Sequence, residues 1–173
     1  KRKMKKFLSI MAVVAAVAMI MTGCKKEESD SEENRLNFTN KIFQNNTSFT
    51  WEGREVAKVK NEGTKKERYS VLRFDRASEK STTGTGRLVA FNNSYKTDFV
   101  EASNFRWYFS DRCLYIEWEH SGWQTAHAEY LTNELTIDGS GFHGTWFEST
   151  SYRWEFNYIA STWNEWDKYA NME

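Results

Sequence analysis

The chain has 173 residues with 24 basic and 24 acidic side chains, 28% charged and 16% aromatic residues, two cysteines and no proline. No basic cluster is interleaved with stacking aromatics, which argues against nucleic acid as a partner. Without proline, turns fall to Gly, Asn, Asp and Ser.

Five of residues 1–6 are basic, and residues 7–21 form an apolar run interrupted only by Ser9. That run falls short of the about 20 residues a spanning helix needs. With its basic flank and the small pair Thr22-Gly23 it reads as a secretory signal, the competing reading being an uncleaved apolar anchor. Met21-Thr22-Gly23 followed by Cys24 resembles the lipobox of bacterial lipoproteins. The resemblance implies that residues 1–23 are cleaved and that Cys24 becomes the lipidated, acylated first residue. Initiation is then expected at Met4. Several acyl chains, at about 0.8 kcal/mol per buried methylene, make such anchoring effectively permanent.

Residues 25–33 carry two lysines, five acids and nothing apolar. This run resembles the export signal that follows the lipid cysteine in surface lipoproteins of the Bacteroidota. The same composition suits a solvated tether over residues 24–35, held off an anionic bilayer by its charge. The five cations of residues 1–6 leave with the signal, so 24 acidic residues face 19 basic ones in the mature chain. Cys113 is left without a partner, and stability must come from packing.

The domain is expected over residues 36–173, from a lead-in of undefined shape carrying Leu36, Phe38, Ile42 and Phe43. Strand patterns follow at 48–60, with Trp51, and at 67–75, with Leu72 and Phe74 on one face and Tyr69 and Val71 on the other. After a polar loop at 76–83, Gly84-Thr85-Gly86 opens a strand to Phe91. Residues 104–109 alternate, with Phe105, Trp107 and Phe109 together, and 113–120 place Leu114, Ile116 and Trp118 together. Runs at 123–131, 134–138, 142–148 and 152–159 complete about nine segments divided by turn residues. That spacing predicts an all-β antiparallel sandwich or barrel. Large rings on both faces of one strand, such as Trp107 beside Tyr108, favour a closed barrel covered in part outside. Thr162 and Glu165 match a capping box, and Trp163, Trp166 and Tyr169 recur at helical spacing, so a short C-terminal helix is expected at 162–171.

Trp51-x-Gly53, Leu72-x-Phe74, Gly84-Thr85-Gly86, Phe105-x-Trp107 and Leu114-x-Ile116 appear in that order. Together they resemble the lipocalin-like (calycin-like) lipoproteins of the Bacteroidota, over most of residues 48–159. The resemblance implies an up-and-down barrel of about eight strands. The Trp-rich tail after Ile159 departs from that pattern.

Few residues point to chemistry. Glu117 and Glu119 project to one face about 7 Å apart, a spacing that suits an acid/base pair. They share that face with Cys113 and Tyr115, so solvent exposure is the simpler reading. His120, His127 and His143 show no zinc-like spacing. Gly139-Ser140-Gly141 is no nucleophile elbow, and Gly84-Thr85-Gly86 lacks the following helix of a phosphate loop. The expectation is a non-enzymatic protein with no cofactor, held at the outer membrane, facing the cell surface. Trp107, Trp118, Trp146 and Trp154, turned inward, would line a cup for a small hydrophobic or amphipathic ligand. The alternative is a filled barrel that docks an envelope protein or glycan, with the same rings as core.

Overall fold

The computed structural model describes residues 29–119, 124–131, 134–139 and 141–172. The expected signal at 1–23, Cys24, His120 and Trp123 lie outside these residues. The first element is a helix, α1 (Glu32–Phe43), which the charged sequence around it had hidden. Ser31 caps it, its Oγ accepting from Asn34 N at 3.1 Å, while Glu32 and Glu33 sit in the positive first turn. α1 therefore begins inside the stretch expected as tether, and its body takes up the lead-in. Phe38, Thr39, Ile42 and Phe43 are buried along it.

Nine antiparallel strands follow: β1 (Ser48–Val59), β2 (Gly63–Asp75), β3 (Thr83–Phe91), β4 (Phe99–Ser110), β5 (Cys113–Trp118), β6 (Gln124–Glu129), β7 (Leu135–Asp138), β8 (Gly141–Phe147) and β9 (Tyr152–Ala160). They hydrogen-bond in the order β6-β5-β4-β3-β2-β1-β9-β8-β7, and a pairing of β6 with β8 at His127 and Phe147 closes the ring. Eight strands form the barrel, and β7 stays outside it as the hairpin partner of β8. Closure removes the exposed edges an open sheet would carry. The fold is the expected all-β up-and-down barrel. Gly53 is required where β1 meets β9, since a Cβ there would drive into the Asn157 carbonyl.

Side chains alternate in and out along each strand. Trp51, Leu72, Phe74, Phe105, Trp107, Leu114, Ile116, Phe142, Trp146, Phe156 and Tyr158 belong to one buried interior cluster. Rings reach across the lumen: Phe74 of β2 lies 5.2 Å from Phe105 of β4 and 6.3 Å from Phe142 of β8. α1 plugs this end. Phe43 packs 5.5 Å from Trp107, Phe38 packs 5.4 Å from Tyr130, and Trp51 donates its indole N–H to the Ile42 carbonyl at 2.9 Å. Below α1, Asp30 accepts from Arg35 Nε at 2.7 Å, Tyr130 Oη at 2.6 Å and Arg112 N at 3.1 Å, which latches the start of the described chain to the barrel.

The C-terminal segment differs from its expected form. It is a single 3-10 turn, Glu165–Tyr169, preceded by Asn164 with no side-chain cap bond. The capping box fails locally because Ser161 Oγ, not Thr162, takes up a free amide, that of Trp163, at 3.0 Å. The packing is nevertheless as expected. Trp163, Trp166 and Tyr169 cover the outward Val71, Val89, Phe91 and Ala102, and Arg73 lies 5.0 Å above the Trp166 ring.

Candidate functional site at the far end of the barrel

The end opposite α1 has a different interior. β1 turns Trp51, Gly53, Glu55 and Ala57 inward, and β2 turns Arg68, Ser70, Leu72 and Phe74 inward. Glu55 pairs with Arg68 in the strand register, so this alternation places a carboxylate and a guanidinium inside the barrel, 1% and 9% exposed. Arg68 Nε donates to Glu55, and its Nη1 reaches across β3 to donate to Glu101 of β4. The small Ala90 on β3, paired with Glu101, leaves room for that span. Ser70 Oγ donates to Glu55 at 2.6 Å, and so does the fully buried Tyr158 hydroxyl.

Electrostatics follow from that burial. Leaving water would by itself lower the Arg68 pKa, but the Glu55 and Glu101 charges outweigh the loss and hold it above the ordinary value. Burial first, and then the Glu55 charge, push the Tyr158 phenol well above its usual range. The guanidinium carbon sits 4.2 Å from the Trp154 ring centroid, a cation–π contact. Trp154 in turn donates its N–H to Glu148 Oε1 at 2.9 Å. Glu148 is half-buried, and that burial raises its pKa against the opposing pull of the Trp154 N–H.

Arg68 and Trp154 thus form a floor, ringed by the half-buried Trp118, Val100, Tyr152, Glu101 and Glu148. Among the described residues no helix covers this end. The arrangement, termed the cup, is a layer of half-buried rings and carboxylates over a buried, hydrogen-bonded guanidinium.

The four indoles expected to line one cup divide between two levels. Trp107 lies deep at the plugged end, donating to the Thr85 carbonyl at 3.1 Å and the Asp75 carbonyl at 3.2 Å. Trp146 stacks on Phe156 at 5.2 Å and 16°, its N–H buried without a partner. Trp154 is the floor, and Trp118 stands at the rim, edge-on to Phe105 at 5.0 Å. The charged floor is the part that sequence reading missed. Its signal is phase: Glu55 keeps step with Trp51, and Arg68 with Leu72 and Phe74.

Glu117 lies on the outer wall with its carboxylate held by Arg106 and by Tyr108 Oη at 3.0 Å. Glu119 accepts from Asn104 Nδ2 at 2.7 Å. His127 stacks outside between Tyr115 and Phe147, and His143 stands 3.9 Å from Asp138. Among the described residues no three His, Cys, Asp or Glu side chains gather to hold a metal. Cys113 is half-buried, its thiol pushed up by burial. Searched against protein-family models, curated proteins and solved structures, the chain matches none of them.

Proposed function

We propose that this chain is a lipid-anchored outer-membrane protein, displayed at the cell surface, that holds a small amphipathic molecule in the far-end cup without transforming it. The observation that carries the reading is the graded interior. Interlocked rings fill the plugged half, while the other half keeps a pre-bonded guanidinium on an indole beneath half-buried aromatic walls. Sites of this kind, apolar walls with a few fixed polar groups, suit small ligands. Glu55 and Glu101 share the one guanidinium there, and Glu148 is held by the Trp154 N–H beside it, which favours a ligand head group that donates hydrogen bonds or carries positive charge.

The proposed anchor and the cup are at opposite ends. Four residues lie between Cys24 and Ser29, five steps with a reach of at most about 18 Å, and Asp30 is latched to the plugged end. Lipidation at Cys24 would therefore turn α1 toward the bilayer and the cup away from it. The rival reading, a module that docks an envelope protein or glycan through its outer wall, draws support from the same filled lumen.

Native mass spectrometry of the chain isolated from membranes tests the proposal. The binder predicts one small co-purified molecule, retained by Glu117→Gln and lost in a variant with Trp118→Ala. A bare chain that instead pulls down a stoichiometric envelope component favours the docking module.

A further inference from the structure

A second concavity of about 280 Å³ lies on the rim beside the β8–β9 turn, walled by Lys60, Phe147, Ser149, Thr150, Ser151, Tyr152 and Arg153. Its charged groups are both cations, and its side-chain polar groups are hydroxyls. Ser149 Oγ accepts the amide N–H groups of Ser151 at 3.3 Å and Tyr152 at 3.0 Å. With both lone pairs engaged, its own proton can only point away. The Ser149 and Ser151 hydroxyls lie 3.4 Å apart, so the Ser149 proton can go to Ser151 Oγ, which leaves the Ser151 O–H for an outside acceptor. Two of the nearby carbonyls are occupied: Ser151 O accepts from Lys60 N at 2.8 Å, and Tyr152 O accepts from Glu148 N and Ser149 N, each at 3.2 Å.

The two cations are available. Lys60 is exposed and has no carboxylate partner among the described residues. Arg153 touches Glu155 only at 3.4 Å, and Glu155 is held more closely by Lys58. The other nearby acid, Glu148, turns its carboxylate inward to the Trp154 N–H. Two cations with hydroxyl donors beside them match a group that only accepts, with several oxygens. The concavity exceeds the size of a bare anion and lies near the lower end of small-molecule pockets, about 300 Å³. Phe147 supplies an apolar wall, where the organic part of a ligand would rest.

We propose that this rim pocket binds a small organic phosphate or sulfate monoester, its oxyanion between Lys60 and Arg153 and its organic part against Phe147. The site shares only Tyr152 with the cup, and nothing in the argument depends on the cup being occupied. A lipid head group or a soluble sugar ester would present the same chemistry.

The test is calorimetric titration of the full chain in detergent with inorganic phosphate, glucose 6-phosphate and glucose at matched ionic strength. Vesicles of phosphatidylcholine with and without phosphatidic acid, a monoester lipid, form a further arm. Saturable one-to-one binding is expected for both phosphates, tighter for glucose 6-phosphate than for inorganic phosphate, with none for glucose. Lys60→Gln with Arg153→Gln should weaken it at least tenfold without moving the melting temperature, since both side chains are exposed. Trp118→Ala, a change to the cup, should leave it intact. Added affinity for the phosphatidic acid vesicles that the double variant abolishes would assign the lipid source, and its absence the soluble one. Failure of both phosphates to saturate, or binding that survives the double variant, would overturn the proposal.

Discussion

The guanidinium of Arg68 lies 4.2 Å above the ring of Trp154, so two residues 86 positions apart on strands β2 and β9 meet inside one barrel. The contact depends on three neighbours. Glu55 and Glu101 fix the plane of the guanidinium, and Glu148 fixes the indole through its N–H. Each residue in this chain constrains the next, which is what a pre-organised binding surface requires.

Removing the cation should therefore be costly. Arg68→Ala leaves Glu55 buried and unpaired, and loss of one partner of a buried pair costs about 3–5 kcal/mol. Urea unfolding measures it. Arg68→Met combined with Glu55→Gln should recover a large part of that loss, because the fully buried charge is then gone and only the partly exposed Glu101 is left without its partner. Equal losses for the single and double variants would show that the pair matters through packing instead of charge.

The indoles should separate by level. Trp107→Ala and Trp154→Ala remove buried rings, and each should lower stability by about 3–5 kcal/mol. Trp118→Ala, half-buried at the rim, should cost clearly less while abolishing ligand retention. Melting curves and binding measured on the same three variants distinguish core from wall.

Glu148 gives the cup a pH dependence. Its carboxyl pKa is raised by burial in the folded state, so the folded chain holds that proton more tightly than the unfolded one. This contribution to stability is fully present below the ordinary glutamate range and is lost as pH rises through the elevated value. Glu148→Gln, which keeps an acceptor for the Trp154 N–H, should remove this slope and leave the variant at least as stable as the parent at neutral pH. Denaturation midpoints across pH 4 to 8 check it.

Asp30 carries the opposite sign. The Arg35 hydrogen bond, with those from Tyr130 and the Arg112 amide, holds its carboxyl well below the usual range. Its stabilisation is present above the ordinary aspartate value and is lost as pH falls through the depressed one. Asp30→Ala should cost about 1.5–3 kcal/mol, as for hydrogen bonds to a charged group. Hydrogen exchange should show that loss first in α1, since the latch lies at the start of that helix.

Much of the barrel was legible because alternation survives in its strands. Phe105, Trp107 and Phe109 face inward, Tyr108 faces out to stack on Tyr115, and both faces are occupied as the paired rings required. α1 escaped notice because only Phe38, Ile42 and Phe43 mark its apolar side, and its start lies in an acidic run that also suits a solvated chain. The charged floor escaped because charged residues within a strand pattern carry no mark of facing inward. Residues 66–68, Lys-Glu-Arg, look like a surface patch, yet Glu67 pairs outside with Arg54 at 2.5 Å while Arg68 turns inward. Strand phase was visible in the sequence. The pairing that makes an inward arginine tolerable lies 13 and 33 residues away and was not.

Anchoring has its own test. Cys24→Ser should move the protein from the membrane fraction to the soluble one, and continued sedimentation with membranes would refute lipidation at that sulfur.

The central claim is that the Arg68–Trp154 cup holds a small amphipathic molecule. Its most direct test is native mass spectrometry of the chain isolated from membranes, beside Trp118→Ala prepared in the same way. The account predicts a single discrete added mass on the parent, released on denaturation and missing from the variant. A parent chain that flies at its bare mass, and stays bare after incubation with a panel of cationic and neutral amphiphiles, would contradict it.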